Sequence, residues 1–214
     1  MTFKAIVFDW DGVLADTLWI LEAVYREMQP YFGVQELIQG KDWFECDWKK
    51  HWRGLLGSDQ RLPEVQAKYL EIIKKYDPKT EVFPGTADLI HALAAKVPLA
   101  ILTNNYRQAI VPILQRNGIH ERFAFIYDAH EPHIKPDPHV ITLTAQRLGI
   151  TPAEMIFIGD MDAELEMAKE AGVGLVIGCA YGYHSEKRLA PVQPDHIVQS
   201  PKELKTVLLG AVHG

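Results

Sequence analysis

Residues 3–17, FKAIVFDWDGVLADT, narrow the possible folds more than any other stretch of this 214-residue chain. Ala5, Ile6, Val7 and Phe8 form an unbroken apolar run rich in strand formers, the pattern of a strand covered on both faces within a parallel sheet. Asp9 ends the run and Asp11-Gly12 follows, so a sharp turn is expected where two carboxylates leave the sheet. Ligands of open α/β sheets bind at the carboxyl ends of the strands. Two acids in a partly desolvated site repel each other unless a cation or a shared proton intervenes. A metal or catalytic role for Asp9 and Asp11 is therefore implied, although these residues taken alone also suit an ordinary polar turn.

After Thr17 the period changes. Leu18, Leu21, Val24, Tyr25 and Met28 recur at three and four residues, predicting a helix that Pro30 stops. A polar, aromatic segment follows over 39–57, then an amphipathic helix over 63–76. No strand-like run occurs between Thr17 and Glu81, so this helical insert is expected to be a small second domain with hinges near 16–18 and 82–85. From Pro84 onward, helices over 85–96, 107–118, 138–148, 162–171 and 202–209 alternate with strands over 98–103, 123–127, 155–158 and 173–177. That alternation is the signature of a parallel sheet. The last of those strands is the final one that the pattern supports.

Three strand ends carry further chemistry. ILTNN at 101–105 ends a strand with a hydroxyl and two amides; Thr103 and Asn104 can hold phosphate oxygens, or can cap the next helix. Lys135 stands in HIKPDP, where prolines stiffen the backbone; near Asp9 it would offset negative charge, and elsewhere it would simply be solvated. Asp160 ends the strand of IFIGDMDAELEMAKEAG. With Asp9 it would complete a magnesium site, since that hard cation prefers carboxylate and carbonyl oxygens, or with Asp162 it would cap a helix.

The first segment resembles motif I of the haloacid dehalogenase-like superfamily, DxDGxLxDT, matched by Asp9, Asp11, Gly12, Leu14, Asp16 and Thr17. Thr103 resembles the second motif, Lys135 in KPDP the third, and Asp160 the fourth, where the second acid is Glu164 in place of an aspartate. The resemblance covers nearly all of the chain outside the insert. It implies an α/β, Rossmann-like parallel sheet core with helices on both faces, residues 1–16 and 84–214, and an inserted α-helical cap, residues 17–83. It further implies a Mg2+-dependent phosphatase acting on a small phosphorylated metabolite, within the phosphoglycolate phosphatase-like branch. In that reading Asp9 is the nucleophile and Asp11 the acid and base. Thr103, Asn104 and Lys135 hold the phosphoryl group, and Asp9, Asp11 and Asp160 hold the metal. Glu164 is then expected in an outer position, with Asp162 able to replace it. The acid at position 11 argues against a dehalogenase, while a β-phosphoglucomutase-like phosphosugar mutase or an inactive phosphate-binding protein keeps the same motifs.

In the insert, Trp43, Trp48 and Trp52 stand among basic residues. Trp48 and Trp52 share a helix face and are expected in that small domain's core, while Arg53 or Lys49 is a candidate for binding a second anionic group of the substrate. His130, His133 and His139 lack the paired spacing of a zinc helix. The net charge of −6 argues against a general nucleic-acid or acidic-membrane surface. No apolar run reaches transmembrane length. Cys46 and Cys179 lack metal spacing and suit reduced thiols. A soluble cytoplasmic monomer or small homo-oligomer is expected.

Overall fold

The computed structural model describes residues 2–36 and 38–212. Its centre is β1 (Ala5–Phe8), whose four side chains are at most 1% exposed. Because side chains alternate across a strand, Ile6 and Phe8 enter one apolar layer and Val7 the other. Burial of each of the larger ones contributes about 1.5–3 kcal/mol relative to exposure.

β4 (Leu99–Leu102) pairs parallel with one edge of β1, and β5 (Phe123–Tyr127) lies beyond it. On the other edge lie β6 (Met155–Gly159), β7 (Leu175–Cys179) and β8 (His196–Val198), giving a parallel sheet of order β5-β4-β1-β6-β7-β8. The sheet thus has one strand more than the sequence pattern supports. That strand, β8, is only three residues long, too short for an apolar run, and is held in register by β7. On one face α4 (Thr86–Ala94), α5 (Arg107–Arg116) and α9 (Pro201–Ala211) bury Leu89, Ile110 and Leu204. On the other, α6 (His139–Leu148) and α7 (Asp162–Glu170) bury Val140 and Leu165. The short α8 (Glu186–Leu189) adds Leu189 to that second face. The connections leave β1 toward β4 first and return to β6 on its far side. Strand order therefore reverses at β1, and the crevice of the fold opens at its carboxyl end.

The insert leaves and re-enters the core through a ribbon that sequence reading misses. β2 (Ala15–Asp16) pairs antiparallel with β3 (Glu81–Val82), two residues each. Between them run α1 (Leu18–Phe32), α2 (Trp48–Leu56) and α3 (Leu62–Ile73). Pro30 does not end α1, which runs two residues further to Phe32 and closes at Gly33 with φ +67°. The proline forfeits the one bond that an N–H at position 30 would give to Arg26 O, and the helix ends within a turn of it. Asp47 caps α2 by accepting from the backbone N–H groups of Lys49 and Lys50. The three helices share a core around Met28, Phe32, Trp52 and Val65, to which Met161 and Tyr183 of the α/β body also belong. Trp52 is 1% exposed, as expected of a residue in that core.

Candidate active site

At the end of β1 the chain bends so that Leu14 and Ala15 N–H both donate to Trp10 O, and Gly12 adopts φ +75°. Glycine is required at position 12 twice over: only it takes that φ readily, and a Cβ there would lie 1.9 Å from Asp160 Oδ2. Gly182, after β7, meets the same oxygen, with a Cβ position 2.2 Å from Oδ2. Two backbones thus wrap Asp160, and Tyr183 N–H donates to its Oδ2 at 2.6 Å.

Asp9, Asp160 and Glu164 are all buried, and one carboxylate oxygen of each lies within 4.8 Å of the others. Asp9 Oδ1 accepts from Trp10 N–H at 2.6 Å and from Lys135 Nζ at 2.5 Å; the same ammonium contacts Glu164 Oε1 at 2.5 Å. Asp160 Oδ1 and Glu164 Oε2 are buried with no hydrogen-bond partner. Buried unpaired carboxylate oxygens are costly, and an oxygen-seeking cation satisfies them. Three carboxylates against one ammonium leave two negative charges, the charge of a divalent ion. Burial, then the neighbouring Glu164, pushes the Asp9 and Asp160 carboxyls well above their ordinary range. Burial works against the charge on Lys135, but Asp9 and Glu164 outweigh it and hold the ammonium above its usual value.

The two acids at the start of α7 part here. Glu164 is in the cluster, its longer side chain reaching inward from the first turn of α7. Asp162 turns away to Arg188 Nε at 2.8 Å and His184 Nδ1 at 3.3 Å.

Asp11 is half-buried beside Asp9. Asn105 Nδ2 donates to its Oδ2 at 3.3 Å, and burial raises its carboxyl above the ordinary value against the hydrogen bonds of Thr17 and Asn105. Thr103, at the end of β4, is 2% exposed and lines the cavity. Its Oγ1 accepts from Asn105 N–H at 3.0 Å, which leaves the hydroxyl proton free to be donated. Asn104 also lines the cavity, but its carboxamide clasps the Lys135 backbone, accepting from N–H at 2.9 Å and donating to C=O at 2.8 Å. Its geometry positions the lysine. Arg53 is not brought to the site: it lies exposed on α2, ion-paired with Asp59, and is absent from the cavity wall. Of the three loop histidines, His133 and His139 stack and both reach Asp137, at 2.6 and 2.7 Å, while His130 stands apart on Asp128.

The acids, Thr103 and Lys135 face a cavity of about 180 Å³ between the sheet's carboxyl edge and the helical insert. Residues the sequence reading misses line it too: Asn105, Tyr183 and Asp77. Burial, then the charge of Asp11, pushes the Asp77 carboxyl up to about 6. The glycine between two tyrosines in AYGYH was the signal available for the Gly182 loop. Cys46 and Cys179 are free and buried.

A family model described as haloacid dehalogenase-like hydrolase matches residues 6–177, a span that contains every member of the acidic cluster. The chain belongs to this family. It is accordingly an enzyme of the family's phosphoric monoester hydrolase class. It is 36% identical over 233 aligned residues to a phosphoglycolate phosphatase of Escherichia coli, covering 96% of this chain and 92% of the relative. It is 30% identical to an N-acetylmuramic acid 6-phosphate phosphatase of Pseudomonas aeruginosa, covering 97% and 96%. Its fold is similar to that of a haloacid dehalogenase-like hydrolase from Streptococcus pneumoniae, with a TM-score of 0.81 at 23% identity over 96% of this chain and 98% of the other. Among the described residues no helix is long and apolar enough to cross a membrane.

Proposed function

We propose that this hydrolase is a magnesium-dependent phosphatase of small phosphorylated metabolites that works through an aspartyl-phosphate on Asp9. The observation that carries the reading is Asp9 itself: a buried carboxylate at the reversal point of the sheet, pinned through Oδ1 and facing the cavity. With Oδ1 fixed, Oδ2 attacks phosphorus and the P–O bond to the leaving group breaks. Asp11, its carboxyl raised toward neutrality by burial, gives a proton to the departing oxygen. It then takes a proton from the water that attacks the phospho-aspartate and releases phosphate. Thr103 donates its hydroxyl to a phosphoryl oxygen, and Lys135 offsets charge on both nucleophile and phosphate while Asn104 keeps it in place.

Asp9, Asp160 and the Asp11 main-chain carbonyl would hold Mg2+, with Glu164 as a further ligand or close neighbour. When bound, the ion supplies charge neutralisation between the carboxylates and the phosphoryl group. Residues 17–83 act as a cap domain over a core of 1–16 and 84–214, excluding water from the covalent step.

The experiment is phosphate release from a panel of phosphorylated metabolites, with magnesium and with EDTA, for wild type and Asp9→Asn. Wild type is expected to release phosphate in an EDTA-sensitive manner. Asp9→Asn, folded by circular dichroism, should retain less than about one per cent of that rate, a barrier increase above about 2.7 kcal/mol. A larger residual rate overturns the nucleophile. Isomerisation of a sugar phosphate without release marks a mutase, and binding without turnover a phosphate-binding protein.

A further inference from the structure

We propose that the enzyme's substrates carry an uncharged, largely apolar leaving group, so that phosphoglycolate is a poor substrate. This rests on the phosphatase reading above and concerns only the part of the substrate that lies beyond the phosphorus.

The cavity has two chemically different ends. At one, Lys135 stands with the carboxylates that serve the phosphoryl group. Among the described residues it is the only lysine, arginine or histidine in the cavity wall, and Asp9 and Glu164 already engage it. At the other end the insert supplies Ile20, Leu21, Leu70 and Ile73 with the rings of Phe44 and Trp52. The polar groups that the insert brings to the wall are the neutral Thr17, Tyr25, Trp48, Gln66, Tyr69 and Thr80, together with the acid Asp77. In phosphoglycolate the carboxylate carbon is two bonds from the ester oxygen. With phosphorus at Asp9, that carboxylate stays inside the cavity, between Asp11, Asp77 and apolar walls. Neutral donors do not balance the charge of a desolvated carboxylate as a cation does, whereas an alkyl group of the same shape gains from the same walls.

The nearest cations do not relieve this. Arg53 pairs with Asp59 on the outer side of α2, and Lys41 Nζ donates to Ala180 O. The exposed Lys74, Arg116 and His130 line an outer cleft that is continuous with the cavity and shares Ile73, Asp77, Asn105 and Tyr106 with its wall. There Arg116 is bonded to Thr80 O and reaches Glu81 at 3.3 Å, and His130 is on Asp128. The size fits a small group: a buried apolar cavity of about 150 Å³ accepts a benzene ring. The present volume of about 180 Å³ must also hold the phosphoryl group, leaving room for a few carbons.

The test compares kcat/KM for phosphoglycolate and isobutyl phosphate, its uncharged isostere, at one magnesium concentration and neutral pH. Isobutyl phosphate is expected to be the better substrate by about tenfold or more. Gln66→Arg places a cation at the exposed rim of the cavity wall and should move the ratio toward phosphoglycolate by about tenfold. Phosphoglycolate turned over as well as isobutyl phosphate, or a ratio that Gln66→Arg leaves unchanged, overturns the inference. Hydrolysis of p-nitrophenyl phosphate by wild type but not by Asp9→Asn shows in the same assay that the phosphatase reading holds. If that hydrolysis is absent, the phosphatase reading fails and takes this inference with it.

Discussion

Lys135 balances the charges on which the site depends, because its single ammonium lies against Asp9 and Glu164 while Asp160 completes the acidic cluster. Removing one partner of a buried ion pair leaves uncompensated charge, which typically costs about 3–5 kcal/mol. Lys135→Met should therefore lower unfolding stability by about 3 kcal/mol in EDTA at neutral pH, measured by urea denaturation. Added magnesium should recover part of the loss. A variant as stable as wild type in EDTA would show that the cluster is not held by this lysine. At this scale the sequence was informative about Asp9, Asp11, Thr103, Lys135 and Asp160, all placed around one cavity. It was not informative about direction. Asp162 and Glu164 are two residues apart on the first turn of α7 and so point to different sides. Only the packing of that helix on the sheet decides which acid faces Asp9. Arg53 failed for the same reason, since a basic residue one step along from Trp52 lies on the outer face when Trp52 fills the core.

Between elements, the insert is fastened to the α/β body by the segment around Asp42, far in sequence from its partners. Asp42 N–H donates to Tyr183 O at 3.0 Å, its carboxylate accepts from Ser185 N–H and Oγ, and His184 Nε2 lies 2.9 Å from Phe44 O. Arg188 on α8 spans the joint, reaching Asp42 O at 2.6 Å, Glu45 at 3.0 Å and Asp162 at 2.8 Å. Partly exposed pairs contribute little individually, so the joint is expected to be worth about 1 kcal/mol of local stability. Arg188→Ala should speed amide exchange at Asp42 about fivefold while leaving exchange in β1 unchanged. Equal rates in both proteins would exclude Arg188 as a fastener. The long elements were legible because period and punctuation agree over many residues, as in α6 with Gly149 closing it at φ +70°. The ribbon of β2 with β3 and the strand β8 were not: two or three residues carry no period, and they are strands only because a distant partner supplies hydrogen bonds.

Over the whole molecule, stability against acid depends on carboxylates tied down in the folded state, and Asp128 at the end of β5 illustrates the sign. Its burial favours the neutral acid, but Arg107, through its side chain at 3.0 Å and its backbone N–H at 2.9 Å, overcomes this and lowers the carboxyl to about 2. The folded-state value lies below that of the unfolded chain. The contribution is therefore present above about pH 4 and is lost as pH falls toward 2. Allowing for screening at the half-exposed Arg107, about 1 kcal/mol is expected. Asp128→Asn should be less stable than wild type by that amount at pH 7, and urea denaturation should show the gap closing between pH 4 and pH 2. A gap independent of pH would assign the loss to packing instead of charge. By itself, the sequence determined the class of fold, the order of its long elements and the candidate side chains at three strand ends. These follow from local period and from acids placed directly after apolar runs. Only the tertiary structure decided that Glu164 joins Asp9 and Asp160, that Asn104 holds Lys135 and that, among the described residues, the insert's side of the cavity wall carries no lysine, arginine or histidine. Each of those depends on which way a side chain points once separate segments pack together, and one-dimensional spacing does not encode that direction.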